Sequence, residues 1–535
     1  MKPNAPELPG SPVVRIYDTT LRDGTQREGI SLACEDKIRI ARRLDELGVS
    51  FIEGGFPGSN PKDAEFFARA KDIDWRHATI TAFGATRRAG IVPEADKSLV
   101  ALLEAGAPVC TIFGKSWTLH VDEVLRVSRD ENLRIIEESV AFLRANGRRV
   151  LYDAEHFFDG FRADASYALE TLRAAIRGGA EVVVLCDTNG GSLPWDVEEA
   201  VRRVTAEIPH PIGIHTHNDT ECAVANALAA VRAGARHVQG TINGYGERCG
   251  NGNLCAIVPS LELKLGLSCL PDGALATLYE TAHFVAEVAN LSPDEHMAYV
   301  GRSAFAHKGG VHVAAMRRNP TSYQHIDPAQ VGNAMRVVVS ELSGRGNVRS
   351  KAEELGFAIE DGAEVVVLEQ IKEAEARGFS FEAAEASVAL MMRRQSPAYR
   401  PPFRLVDYKV MVGQRERGET FSEAVIKIAV GDQILHTAAE GNGPVSALDA
   451  ALRKALGPIF PDVLGIQLVD YKVRILDGQD GTAATTRVLI DSRHGHSQWS
   501  TVGASPNIIE ASWHALADSV EYGLLLLEQQ RAEVA

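Results

Sequence analysis

The sequence has no excess of positive charge, few cysteines and no long apolar run, and each absence removes a class of function. Its 56 Lys and Arg stand against 71 Asp and Glu, a formal net charge of −15 at pH 7. That balance argues against nonspecific binding to nucleic acid or to anionic membranes, although local basic patches for a phosphorylated ligand stay open. No apolar run approaches the roughly 18 residues of a membrane span, and Met1 to Pro12 is polar, without the apolar core of a signal peptide. The 7 cysteines, odd in number and without a Cys-x-x-Cys pair, suit reduced thiols in cytoplasm and not a disulfide framework. What is present is globular. With 45% hydrophobic and 24% charged residues over 535 positions, two or three domains with ample cores are expected.

From Val13 the chain alternates short β-branched runs with amphipathic segments. Strands are predicted at Val13–Asp18, Phe51–Phe56, Thr79–Gly84, Val109–Gly114, Arg149–Glu155, Val182–Asp187, Ile212–Thr216 and His237–Asn243, with helices such as Glu35–Leu47, Asp130–Asn146 and Ala165–Arg177 between them. The spacing from strand to strand is that of βα units. Eight units over about 250 residues predict a closed (β/α)8 TIM barrel. The alternative, a doubly wound open sheet, lacks its Gly-rich phosphate turn: Asp18-Thr-Thr-Leu-Arg-Asp23 follows the first strand instead.

In such a barrel the chemistry sits at the C-terminal strand ends. Those ends carry Arg22, Asp23 and Gln26, then Glu53, then Glu155 and His156, then Asp187-Thr188-Asn189. The seventh carries Gly213-Ile-His-Thr-His-Asn-Asp219, and the eighth is followed by Asn243, Glu247, Arg248 and Asn251. His215 and His217, two apart on a strand, project to one face. Two neutral imidazoles need only one or two oxygen donors to hold a metal; a hydrogen-bonded histidine pair is the plainer reading. Convergence of so many ionisable groups on one rim favours a site.

Beyond Leu267 the alternation stops. Asp272–Ala289 and Glu364–Arg377 read as helices, Phe381–Arg394 carries a strong apolar stripe, and Phe305-Ala-His-Lys-Gly-Gly-Val-His312 reads either as a surface turn or as a ligand loop in which His312 is an acid or base. Ser396–Pro402 reads as a linker. After it Val406-Asp-Tyr-Lys-Val410 recurs as Val469-Asp-Tyr-Lys-Val473, each followed by β-type runs (Glu423–Val430; Thr486–Ser492) and a Gly-led helix (Val445–Leu456; Ile508–Leu526). The repeat predicts an α+β (βββα)2 module without a catalytic constellation, hence regulatory or dimerising. The domains expected are a barrel over 1–266, a helical lid and linker over 267–400, and the C-terminal module over 401–535.

Asp18-Thr-Thr-Leu-Arg-Asp-Gly-Thr-Gln26 closely resembles the signature that opens the barrel of the metal-dependent Claisen-condensing synthases of 2-isopropylmalate, homocitrate and citramalate. Gly213–Asp219 and Asn243-Gly-Tyr-Gly-Glu-Arg-Cys-Gly-Asn251 resemble that family's second and third motifs, and the likeness extends over almost the whole chain. Tyr152-Asp-Ala-Glu-His-Phe-Phe-Asp-Gly160 looks most like the citramalate-forming branch.

The resemblance implies a divalent cation held by Asp23, His215 and His217, with Asn251 at or near the fourth position, and Mg2+, Mn2+, Co2+ and Zn2+ all suit such a set. It implies acetyl-CoA and pyruvate as substrates, Arg22 at the ketone oxygen, Thr188 at the carboxylate, and Glu155 near the acetyl methyl. Either Glu155 or His312, the latter lent across a homodimer, is then the base. Gln26, Glu53, Asn243 and Glu247 are further substrate-binding candidates, and Phe83, Phe113 and Tyr152 are expected to narrow the pocket toward pyruvate. A tyrosine that some isopropylmalate synthases carry is replaced here by Met335. The C-terminal repeat implies feedback by an amino acid, isoleucine for the pyruvate-using branch. Three alternatives remain: 2-isopropylmalate synthase, a lyase on the same barrel, and a non-catalytic amino-acid sensor.

Overall fold

The computed structural model describes residues 14–340, 343–355, 360, 362–416, 418–476, 481, 483–495 and 497–534. The polar stretch Met1 to Pro12 and the start of the first predicted strand, Val13, lie outside them. The chain forms two compact units, Met1–Phe305 with Ile326–Ala334, and Ala306–His325 with Met335–Ala535. Among the described residues no helix is long and apolar enough to cross a membrane.

The first unit is a closed parallel barrel of β1 (Arg15–Asp18), β2 (Phe51–Gly55), β3 (Thr79–Ala85), β4 (Val109–Lys115), β5 (Arg149–Glu155), β6 (Val182–Asp187), β7 (Ile212–Thr216) and β8 (His237–Gly240). Each strand pairs with the next, and Arg15–Asp18 opposite His237–Gly240 closes the ring. Helices follow the strands because apolar residues recur there with a 3.6-residue period. In Cys34–Leu47 the residues Ile38, Ala41 and Leu44 are buried, and Gly48 ends the helix at φ 92°, a backbone state glycine adopts without steric cost. The first unit does not end near residue 266. It continues through the helix Leu278–Val288, whose Ala282 carbonyl receives the Asn243 amide at 2.8 Å.

A buried ion pair shapes the turn after β2. Lys37 Nζ reaches Asp63 and donates to the Gly54 carbonyl at 3.1 Å, while Asp63 accepts from the Phe56 amide at 2.8 Å. Gly55, at φ 144°, leaves no room for a Cβ, which would stand 2.3 Å from the Asp63 carboxyl carbon.

The second unit carries two antiparallel sheets. The short pair β9 (Ala306–His307) and β10 (Arg336–Val337) precedes β11 (Arg404–Gln414), β12 (Thr420–Val430) and β13 (Gln433–Gly441), then β14 (Gln467–Ile475), β15 (Thr486–His494) and β16 (Ser497–Ser505). Each triplet is followed by a helix, Pro444–Leu456 and Ile508–Val534, which is the βββα repeat expected. Alternation decides the core: Ala424, Ile426 and Ile428 of β12 and Val488 and Ile490 of β15 are fully buried, in one cluster with both helices.

The lower barrel interior is apolar. Tyr17, Phe51, Val109, Leu151, Val182 and Val184 pack there, and the His237 ring lies 5.3 Å from Tyr17 and 5.6 Å from Phe51. Gly213 makes space for it, since a Cβ would come within 2.9 Å of that ring. Neither His237 nitrogen has a partner, and burial pushes its pKa from 6.5 down to about 3. The unfolded chain therefore binds the proton more readily, so the stability this group contributes is full above pH 6.5 and is lost progressively as pH falls toward 3. We expect the unfolding free energy of the native protein, from urea titrations, to fall more steeply below pH 6.5 than that of His237→Leu, by at most about 1.4 kcal/mol per pH unit. Identical slopes would mean that the ring titrates normally.

Candidate active site

The turn after β1 is built by the first aspartate and threonines of its motif. Asp18, fully buried, accepts from the Thr20 amide and hydroxyl, both at 2.9 Å. Thr20 Oγ1 in turn accepts from the Ile242 amide beyond β8 at 2.9 Å, and Thr19 Oγ1 accepts from the Asp23 amide at 3.3 Å. Arg22 and Asp23 are thereby presented over the barrel mouth. Arg22 is gripped on one edge by Glu53 through Nε and Nη2, on the other by Asp23 at 3.0 Å, and its guanidinium carbon lies 3.7 Å from the Phe83 ring centroid. Phe83 stacks on Phe113 with centroids 5.5 Å apart.

Asp23, His215 and His217 bring one ligating atom each to within 4.8 Å of one another, all buried. His215 Nε2 lies 3.6 Å from Asp23 Oδ2 and 3.2 Å from His217 Nε2. Two imidazoles can face each other through these nitrogens only if at least one is unprotonated there. Burial pushes His215 down to about 3, helped by His217, and burial also lowers His217. Burial alone would raise Asp23, yet Arg22 and the two imidazoles hold it down at about 2. Asn251 completes the ring. Its Nδ2 donates to Asp23 at 3.0 Å and to the Tyr245 carbonyl at 3.1 Å, while its Oδ1 is buried without a partner. Gly246 permits this approach, because a Cβ there would stand 2.1 Å from Asn251 Nδ2. Two neutral imidazoles, an ionised carboxylate and an orphaned carbonyl oxygen fit a divalent cation of borderline hardness.

Arg248 ties the rim together, binding Asp219 at 2.8 and 3.0 Å and the Thr188 carbonyl at 2.7 Å. Thr188 Oγ1 accepts from the His156 amide at 2.9 Å. Glu155 pairs with Lys115, which ends β4. Gln26 is exposed on the turn Gly24–Gln26, and Glu247 is 55% exposed, 3.7 Å from Arg248.

Three expectations need correction. Tyr152 does not face the barrel mouth: Asp153 points inward, taking a hydrogen bond from Gln239 at 3.0 Å, so its neighbour points outward. There Tyr152 is buried in the core that includes Ile136, beside Gly114. Asn243, at φ 61°, turns its amide to the Ala282 carbonyl and the Tyr245 hydroxyl. Glu53 is 0% exposed with both oxygens on Arg22, so in this structure it positions that side chain. His312 belongs to the second unit, exposed on the helix Gly310–Arg318 and stacked on Tyr323 at 4.2 Å. The structure adds Lys115, Asp153 and Gln239 to the site. Only their places at inward strand positions mark them.

A barrel whose rim holds a two-histidine, one-carboxylate cluster beside a clamped arginine defines the class: a metal-binding (β/α)8 enzyme. Residues 13–285 match the HMGL-like family, 299–378 the homocitrate synthase post-HMGL domain-like family, and 382–524 the LeuA allosteric (dimerisation) domain. Over 96% of its length the chain is 54% identical to the (R)-citramalate synthase of Geobacter sulfurreducens, covering 98% of it. It is 52% identical to that of Synechocystis, with 96% of each chain covered. The 2-isopropylmalate synthase of Methanocaldococcus jannaschii is 31% identical over 95% of this chain and 94% of its own. The chain belongs to the 2-isopropylmalate synthase and homocitrate synthase family, and within it to the (R)-citramalate synthases. Members of this family depend on a divalent metal and use acetyl-CoA.

The corrected position of Tyr152 is checked by Tyr152→Phe. Turnover and selectivity among keto acids should stay within about twofold of the native protein, as for other replacements away from a site. A changed keto-acid preference would return Tyr152 to the pocket.

Proposed function

We propose that this enzyme joins acetyl-CoA to pyruvate and hydrolyses the thioester, giving (R)-citramalate and CoA, as a cytoplasmic enzyme of isoleucine biosynthesis. The observation that carries the reading is the Asp23, His215, His217 and Asn251 ring beside Arg22 and the Phe83–Phe113 stack. Those four residues would hold a cation from the set Mg2+, Mn2+, Co2+ and Zn2+, which would supply Lewis-acid polarisation of the keto group.

Arg22, immobilised by Glu53, stabilises the negative charge that grows on the ketone oxygen, and a fixed donor of this kind contributes several kcal/mol. Thr188 holds the carboxylate. The acetyl methyl gives its proton to Glu155, or to His312 of the partner subunit, as the bond forms between that carbon and the keto carbon. The keto oxygen takes up a proton, and water then cleaves the thioester and releases the CoA thiol. Phe83, with Arg22 over its ring and Phe113 stacked on it, walls the space beside the ketone. Aromatic bulk there favours a methyl over an isopropyl group, and this is the basis for preferring pyruvate.

Thiol release from acetyl-CoA with divalent metal tests this directly. Pyruvate should be preferred over 2-ketobutyrate, 2-ketoisovalerate and 2-ketoglutarate, and Asp23→Ala should lose both bound metal and activity. Preference for 2-ketoisovalerate would move the enzyme to leucine synthesis.

The second unit supports a homodimer with amino-acid feedback. Val412, Val469, Val473 and Ile475 on β11 and β14 are between 43% and 64% exposed, an apolar surface suited to a second copy. A cavity of about 280 Å3 is lined by Val445, Ser446, Asp449, Leu468 and Tyr471. The first turn of the helix Pro444–Leu456 offers amides for a carboxylate, Asp449 suits an ammonium group, and Leu468 and Tyr471 suit an aliphatic side chain. Isoleucine is the ligand proposed. Tyr471→Ala should raise the inhibitory concentration of isoleucine about tenfold or more and leave uninhibited turnover unchanged; undiminished inhibition would place the effector elsewhere.

A further inference from the structure

Gln239, on β8, has no role in the chemistry above, yet it is fully buried and engaged at both ends of its amide. One end meets His215: Gln239 Oε1 lies 2.9 Å from His215 Nδ1. The other donates, Gln239 Nε2 to Asp153 Oδ1 at 3.0 Å. His215 and Asp153 are each 4% exposed, so solvent has almost no access to exchange these bonds.

The consequence lies in the tautomer. A neutral imidazole carries one proton, and His215 turns Nε2 toward Asp23 and His217. For Nε2 to serve as a ligand its lone pair must be free, which requires the proton on Nδ1. A glutamine oxygen at Nδ1 accepts that proton's hydrogen bond. An amide rotated end for end would bring NH2 to the same nitrogen, moving the proton to Nε2 and blocking the ligand position. Asp153 opposes that rotation. Burial and Glu53 push its carboxyl up to about 8; the ionised form only accepts, and the neutral form accepts through Oδ1 when its proton is on Oδ2, with the Gln239 amide group as the donor aimed at it. Glu53, Arg22 and Asp23 are the other charged groups around this carboxyl.

We propose that Gln239 is a positioning residue that locks His215 in its Nδ1-protonated tautomer and thereby keeps the cluster able to bind its cation. The inference rests on the metal-binding reading of Asp23, His215 and His217. A second-sphere partner of this kind acts on metal affinity even though it never touches the ion.

The test is titration of Co2+ into metal-stripped full-length protein, with a chromophoric chelator as competitor and no substrate present. Gln239→Leu removes the acceptor at nearly constant volume and should weaken Co2+ binding about 10- to 100-fold. Gln239→Glu keeps an oxygen at Nδ1 and should bind within about threefold of the native protein, a rescue that lost packing alone does not produce. Gln239→Met serves in place of the leucine variant if that chain does not fold by circular dichroism. Affinity within about twofold of native in the leucine or methionine variant overturns the proposal, as does equal weakening in Gln239→Glu. Asp23→Ala in the same titration separates the two levels. If it binds Co2+ as the native protein does, the metal reading itself has failed; if it alone loses Co2+, only the role of Gln239 has.

Discussion

A residue on a strand of a closed barrel faces either the interior or the surrounding helices, and the whole site depends on that alternation. It puts His215 inward with His217 beyond it, sets Asp153 and Gln239 against each other across the interior, and sends Tyr152 to the opposite face. The lower interior is filled by Tyr17, Phe51, Leu151 and Val184. Above them Glu53, Asp153, His215 and Gln239 are each buried and each bonded to a partner. The apolar floor excludes water from below, so electrostatic interactions above it are stronger than at an open surface.

The same alternation explains what could be read from the chain and what could not. His-x-His needs no knowledge of the partner strands, because two residues apart on any strand share a face. The strand of Tyr152 spans Arg149–Glu155, as its residue pattern predicts, but the pattern alone does not say which parity faces inward. Asp153 and Glu155 share one parity, and with Asp153 inside Tyr152 lies outside. Asn243 was read as the end of a strand, whereas β8 stops at Gly240 and the chain enters a turn with Asn243 at positive φ. Asn tolerates that state, and the residue type alone does not distinguish such a turn from a binding position. Lys115 and Gln239 carry no motif signal; only three-dimensional pairing to Glu155 and His215 marks them.

In the second unit the alternation is legible in β12, one face of which packs on the core. Ala424, Ile426 and Ile428 are fully buried, while Lys427 between the last two is not. The repeated Val-Asp-Tyr-Lys-Val segments lie on β11 and β14, whose partners β12 and β15 supply the core, so the duplicated motif marks the outer strand of each sheet. Duplication therefore preserved an exposed apolar edge, not a catalytic group. That pattern fits a surface which a second copy or an effector completes.

The arrangement at the rim is costly to hold without a ligand. Asn251 Oδ1 and His217 Nδ1 are buried with no partner, and an unmet buried polar atom costs about 1–3 kcal/mol. A fold selected for stability alone would replace these groups with apolar ones of similar size. The buried, unpaired Asn251 Oδ1, together with the turn motif that fixes Asp23 through Thr19 and the glycine that admits Asn251, is explained when a cation meets that oxygen. Preorganisation follows from the same cost. Groups already desolvated and oriented by Glu53, Gln239 and Asp153 need little rearrangement when the substrate's charge develops, so the energy stored in folding lowers the barrier to reaction.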